Sequence, residues 1–226
     1  SIVGKKMNKG EWAELYVMLK LLGEGKLYAA DNMLKKKLDT YLDVLKIIRQ
    51  EFETQVFEYI VDQEKSLVTV KPQDSDTVLT TIPMCEFEKN AVTLFDGLKK
   101  ARGMSVTAPD SVCEFAKIIY VSKPKAPAVK ALIRQFGGKN DIFIEVRDGQ
   151  TAIVSVMGFS IKSKFGQNPT LFNAGSSSQY LFKLHGCNEA KMNEFNMISD
   201  GKGGRGWGLC KAYLASHFIK AEFAMT

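Results

Sequence analysis

The stretch from Gly137 to Gly175, GGKNDIFIEVRDGQTAIVSVMGFSIKSKFGQNPTLFNAG, decides the fold. Residues that favour strands alternate on both sides of Asp148-Gly149, a hairpin signal, which predicts paired antiparallel strands over Ile142 to Arg147 and Ala152 to Lys164. Alternate residues of a strand share a face, so Ser160, Lys162 and Lys164 project together from the second strand, and Asp141 stands at the mouth of the first. Counting eight residues back from Gly149 reaches Asp141 and eight forward reaches Met157. A bulge or a slip of a few residues is therefore expected to bring Asp141 opposite Ser160, and bulges are common beside functional sites.

Outward from this hairpin, the segment after Gly10 carries Leu15, Met18, Leu19 and Leu22 at helical spacing and ends at Gly23 and Gly25, which predicts an amphipathic helix. Leu38, Leu42, Leu45, Ile48 and Phe52 predict a second helix over roughly Leu34 to Glu58, packed on the first. Ser66 to Ile82 reads as two short strands around the turn KPQDSD. Helices are expected over Glu86 to Ala101 and Ser111 to Phe115, and a strand over Lys117 to Ser122 before KPKAP. Trp12 is expected in the core and Trp207 in a loop or against one; Gly201 to Gly208 lacks the spacing of a phosphate-binding loop. There is no internal repeat and no low-complexity tract.

With 226 residues, 45% of them hydrophobic and 25% charged, the chain is expected to fold around one main core. A formal charge of +6 and a pI near 9.0 favour an anionic partner such as nucleic acid. Cys85, Cys113, Cys187 and Cys210 form no CxxC pair and have only His185 and His217 beside them, which argues against a structural zinc site and for free buried thiols. The basic N-terminus is followed by no apolar signal region, and no stretch approaches the ~20 apolar residues of a membrane span. A soluble, cytoplasmic protein is expected. The chain begins at Ser1 and not at Met, as a trimmed piece would.

The residues at the hairpin have the chemistry that phosphodiester hydrolysis needs: a carboxylate to hold a divalent cation, and a lysine to orient an attacking water. Asp141 and Lys162 supply these two. A further carboxylate is expected from the first helix, where Glu11 heads the stripe Glu11, Leu15, Met18, Leu22 and Glu14 lies three residues on, close to the same face.

Two blocks, NKGEWAELYVMLKLLGEGKLYAAD at Asn8 to Asp31 and GFSIKSKFGQNPTLFNAG at Gly158 to Gly175, resemble the signature blocks of HpaII-type restriction endonucleases, within the PD-(D/E)xK nuclease superfamily. The resemblance implies an α/β (α+β) restriction-endonuclease-like fold, a mixed central β-sheet flanked by helices with the site at one sheet edge. One nuclease domain over residues 1–226 is expected, with an N-terminal helical part at about 8–60, a catalytic hairpin core at about 137–184 and a C-terminal part, 185–226, of no assigned role. It further implies Mg²⁺-dependent cleavage of double-stranded DNA carrying CCGG. Asp141 takes the place of the first acidic residue and Lys162 that of the motif lysine. Ser160 stands where the second acidic residue usually stands, a departure for which Glu11, or Glu14, compensates. Family members are generally longer, and a C-terminal segment, if missing, would deprive the chain of full activity. A palindromic target favours a homodimer, since two-fold DNA is matched by two-fold protein.

Each of these residues also has a plainer role. Asp141 after Gly137 and Gly138 is a natural turn or cap, and Lys162 a natural solvent-facing strand residue, with Lys164 as the alternative amine. Glu145, in Glu145-Val146-Arg147, suits a cross-strand ion pair or, alternatively, a second metal ligand. Gln167, Asn168, Thr170 and Asn173 form a polar turn after the hairpin that suits a phosphate backbone, together with Lys164, and is equally an ordinary turn. Lys123, Lys125, Lys130, Arg134 and Lys139 make the approach to the hairpin basic, a path for DNA or a solvated face. The competing functions are a non-catalytic DNA-binding module that retains the nuclease fold, and a low-specificity DNA repair nuclease.

Overall fold

Asn8 starts the first helix with a capping box: its side chain accepts the Glu11 N–H at 2.8 Å, and the Glu11 carboxylate accepts the Asn8 N–H at 3.1 Å. The computed structural model in which this is seen describes residues 2–52, 55–127, 129–136, 140–163, 182–198 and 207–223. The chain divides into two compact units, Ser1–Leu171 and Phe172–Thr226. The first runs β1 (Met7–Asn8), α1 (Lys9–Glu24), β2 (Lys26–Ala30), β3 (Lys36–Glu51), β4 (Gln55–Asp62), β5 (Leu67–Pro72), β6 (Thr80–Pro83), α2 (Met84–Lys100), β7 (Ser105–Val106), α3 (Asp110–Ile118), α4 (Lys130–Phe136), β8 (Ile142–Asp148) and β9 (Val154–Phe159).

Its centre is a sheet of order β6-β5-β4-β3-β8-β9, with β2 paired to the outer part of β3. The expected arrangement of helices against a central sheet is present. Every described pairing in that sheet is antiparallel, although a mixed sheet was expected. Helix α1 lays Trp12, Leu15, Met18, Leu19 and Leu22 against Val44, Ile47, Tyr59, Val68, Val70 and Ile144 of the sheet and Phe87, Leu94 and Leu98 of α2. Burial of each large apolar side chain contributes about 1.5–3 kcal/mol. Trp12 is fully buried, as expected, and its indole N–H donates to the Val106 carbonyl at 3.0 Å. The opposite face of the sheet is covered near β8, where Ile48 and Phe143 pack with Val129 and with Leu132 and Ile133 of α4.

The helix expected over Leu34 to Glu58 is instead β3, a turn at Phe52, and β4. The reason lies in the register. Val44 faces Val146 and Lys46 faces Glu145, so Leu45 is an extra residue in β3. That bulge puts the buried residues Val44 and Ile47 three apart, a spacing that imitates a helix, while the β-branched residues around them favour the strand. The strand expected over Lys117 to Ser122 is the end of α3 followed by a turn, with Tyr120 at φ 61°, and pairs with nothing among the described residues. The hairpin over Ser66 to Ile82 and the helices after Glu86 and Ser111 are present as β5–β6, α2 and α3. The second hairpin strand is shorter than expected, ending at Phe159.

In the second unit, β10 (Phe182–His185) pairs antiparallel with β11 (Lys220–Phe223), and α5 (Glu189–Asn196) and α6 (Trp207–Ser216) lie between them in sequence. Trp207, expected in a loop or against one, is the first residue of α6. The Tyr213 hydroxyl donates to Glu194 at 2.7 Å, tying α6 to α5. All four cysteines are free; Cys113 and Cys210 are buried, whereas Cys85 is exposed and Cys187 half-buried. Among the described residues no helix is long and apolar enough to cross a membrane.

Helix α1 touches α2 closely at Gly23, where an added Cβ would stand 2.7 Å from the Glu88 backbone nitrogen. Gly23→Val is expected to destabilise the protein by about 1–3 kcal/mol, as overpacking does. The midpoint of urea denaturation, followed by circular dichroism, measures it.

Candidate active site

Strands β8 and β9 pair from Arg147–Val154 to Ile142–Phe159 without a bulge. The Asp141 N–H then donates to the Phe159 carbonyl at 2.8 Å, which brings Asp141 level with Ser160. The slip expected from the sequence comes from the turn instead. Asp148 Oδ1 accepts the N–H groups of Gln150 at 2.7 Å and Thr151 at 3.0 Å, and Asp148 and Ile153 close the loop with an N–H to carbonyl bond of 3.0 Å. The loop is longer than the two residues Asp148-Gly149 that the hairpin signal suggested. Those backbone donors, Thr151 first, hold the Asp148 carboxyl below its ordinary value.

At the far end of the hairpin the Asp141 carboxylate is fixed by the residues of the SIK segment. Its Oδ2 accepts the Ser160 hydroxyl at 3.1 Å and the Ile161 N–H at 2.7 Å. Lys162 follows, solvent-exposed and without an ion pair among the described residues. Gly158 makes room for this end: a Cβ there would meet the Asn140 side chain at 2.5 Å.

Helix α1 delivers the second carboxylate, and it is Glu14. Glu14 lines one small cleft together with Arg49, Asn140 and Asp141. It is 9% exposed, and its Oε2 is buried with no hydrogen-bond partner among the described residues. Lys125 Nζ lies 3.3 Å from its Oε1. Burial pushes the Glu14 carboxyl above its ordinary value, the Asp141 charge adds to the rise, and Lys125 and Arg49 pull against it; the balance is upward. Glu11, one turn earlier, spends its carboxylate on the Asn8 cap. The structure therefore brings together Asp141, Ser160 and Glu14, and not Glu11.

Beneath the cleft lies a buried ion pair that sequence reasoning missed. Arg49 is 5% exposed and Glu51 fully buried. The Arg49 Nε–H donates to Glu51 Oε1 at 2.5 Å, and its Nη2 donates to the carbonyls of Lys123 and, at 3.0 Å, Pro124. Glu51 Oε2 accepts the Ser122 N–H at 2.7 Å and its hydroxyl at 2.5 Å. The end of β3 thus grips the segment carrying Lys125. Two charges inside an apolar strand, two residues apart, were the available signal. Glu145 takes the plainer of its two roles, an ion pair with Lys46 at 3.6 Å, shared with Glu58 at 3.0 Å. Lys164, Gln167, Asn168, Thr170 and Asn173 lie outside the described residues, as does Lys139.

The model of the HpaII restriction endonuclease family matches residues 8–205. The chain belongs to that family. It is 30% identical over 192 residues, 85% of its length, to the type II restriction enzyme HpaII of Haemophilus parainfluenzae. It spans about half the length of that relative. No solved structure matches the chain. The family match takes in both Glu14 and the Asp141 to Lys162 hairpin.

The raised Glu14 carboxyl has a consequence for stability. The folded state binds this proton more tightly than the unfolded chain, so ionising Glu14 costs stability as pH rises from the ordinary value of 4.5 through the raised one. That cost grows through this range and is complete only once the pH exceeds the raised value. Glu14→Gln, which removes the buried charge at nearly constant volume, is expected to raise the melting temperature of the cation-free protein by a few degrees at neutral pH and to leave it little changed at pH 4.

Proposed function

We propose that this chain is a type II restriction endonuclease that hydrolyses phosphodiester bonds in double-stranded DNA at a short palindromic site, CCGG, with Mg²⁺. The carrying observation is the convergence of two carboxylates from distant parts of the chain, Glu14 and Asp141, at the end of the hairpin that presents Ser160 and Lys162. The donors suit a hard divalent cation. Both offer carboxylate oxygens, the ligands Mg²⁺ takes, and the buried Glu14 Oε2 is an acceptor without a partner among the described residues. Among the described residues no group of three His, Cys, Asp or Glu side chains gathers at one point, so water and substrate phosphate complete the ligand set. The family relationship and the likeness to a type II restriction enzyme of Haemophilus support the restriction-endonuclease part of this reading.

In this reading Asp141 and Glu14 would hold the cation, which when bound would supply Lewis-acid polarisation of the phosphate and a more acidic water. Ser160 and the Ile161 amide keep Asp141 oriented; Ser160 braces that carboxylate in the place where a second acid usually stands. Lys162, exposed and uncommitted, orients the water. Lys164, Gln167, Asn168, Thr170 and Asn173 contact the DNA. Glu11 serves the helix that carries Glu14. The two units work as one nuclease domain, a homodimer matches the two-fold target, and the DNA substrate places the working protein in the cytoplasm.

The test is digestion of plasmid DNA with and without Mg²⁺, the fragments sized on a gel. Discrete bands that need Mg²⁺ are expected. Asp141→Ala and Lys162→Ala are each expected to lose on the order of 10³-fold in rate, because metal and water positioning supply several kcal/mol to the transition state. DNA bound but left intact would instead establish a non-catalytic module, and a smear in place of bands a low-specificity repair nuclease.

A further inference from the structure

Lys125 has a place in this site that its position in a basic stretch did not suggest. Its side chain is 55% exposed, yet its ammonium reaches inward to a Glu14 side chain that is 11% exposed. Its backbone stays where it is, because Arg49 holds the carbonyls of the two preceding residues and Glu51 holds Ser122. The side chain alone is left to move. Two carboxylates face the same cleft, and like charges at such range destabilise one another unless a cation stands between or beside them. Lys125 is the only cation whose charged group lies within ion-pair distance of Glu14 among the described residues.

We propose that Lys125 is a displaceable counter-ion: it occupies one oxygen of Glu14 while the cleft holds no metal, yields that oxygen to the divalent cation, and then offers its ammonium to the phosphate of bound DNA. The proposal rests on the metal-dependent nuclease reading above. The competition is unequal. A half-exposed lysine with one contact at 3.3 Å is a weak partner, whereas a divalent ion engages both carboxylates. The displaced ammonium stays tethered to a fixed loop at the mouth of the site, where a flexible four-carbon stem suits a phosphate contact.

Titration calorimetry with Mn²⁺ in mildly alkaline buffer tests the first half. Lys125→Met is expected to bind Mn²⁺ on the order of fivefold more tightly than the unaltered protein, the competing ion pair being gone. Lys125→Arg should stay near the unaltered protein. Lys123→Met, an equal loss of charge on the same segment with no contact to Glu14, should also stay near it. If Lys125→Met binds no more tightly, or Lys123→Met gains as much, the displacement is wrong.

The second half is read from DNA binding at a series of salt concentrations with Ca²⁺ as a probe cation. Lys125→Met is expected to lower the slope of log affinity against log salt by about one when Ca²⁺ is present and to leave it unchanged without Ca²⁺. Equal slopes in both conditions would overturn the phosphate contact. The underlying site fails separately: if Glu14→Gln and Asp141→Asn bind Mn²⁺ as the unaltered protein does, the metal is held elsewhere and both readings fall together.

Discussion

Asp148 accepts two backbone N–H groups of its own turn through a single side-chain oxygen, and the loop this stabilises sets the register of everything beyond it on β9. Side chains alternate across a strand, so an odd shift of register would turn Ser160 and Lys162 to the opposite face. With the loop at its observed length, Ile142 pairs with Phe159, the next residue pair is Asp141 and Ser160, and the Asp141 carboxylate meets the Ser160 hydroxyl and the Ile161 amide. The site is therefore a product of a turn at the other end of the hairpin. β8 transmits it, because β8 is held on both sides, by β3 and by β9.

Holding a buried carboxylate beside that hairpin is unfavourable, and the molecule concentrates the compensation in the packing beneath. Glu14 sits on a helix whose neighbouring positions Trp12, Ala13 and Leu15 are buried, so it cannot turn to solvent without moving a core helix. The Arg49 guanidinium, paired with Glu51 and bonded to two carbonyls, brings a positive charge close enough to lower the cost of ionising Glu14. A buried pair of this kind contributes little net stability against an apolar replacement, but breaking it leaves an uncompensated charge. Its evident use is geometric. It fixes a segment that has no secondary structure of its own, Ser122 to Pro127, against the end of a strand.

What the sequence made legible follows the strength of local signals. The helix after Gly10, the two hairpins and α2 were readable because apolar spacing, turns and alternation act within a few residues. The long strand β3 was not, since a single bulged residue, Leu45, replaces the spacing of two by a spacing of three, and periodicity alone cannot tell that from a helix. The juxtaposition of Asp141 and Ser160 was legible. The choice between Glu11 and Glu14 was not read: both lie on the same side of the helix, but Glu11 is committed to the Asn8 cap while Glu14 lines the cleft with Asp141. Beyond the two-residue spacing of Arg49 and Glu51, the contacts of Arg49, Glu51 and Lys125 join residues 31 to 111 positions apart, across which no sequence spacing speaks.

The serine at 160 and the glutamate at 14 are two halves of one electrostatic arrangement. A carboxylate at 160 would stand within hydrogen-bonding distance of Asp141, where Ser160 now donates at 3.1 Å, and a third would face them from α1. Three negative charges in a cleft with one buried wall raise one another's proton affinity. Serine at that position reverses the sign of the local contact: it gives Asp141 a hydrogen-bond donor and leaves the second negative charge to Glu14, approaching from another element and already matched by Lys125 and Arg49. The negative charge facing the cleft stays at two carboxylates. Its placement on a core helix and on a strand end makes the separation of those charges a property of the fold and not of a flexible side chain.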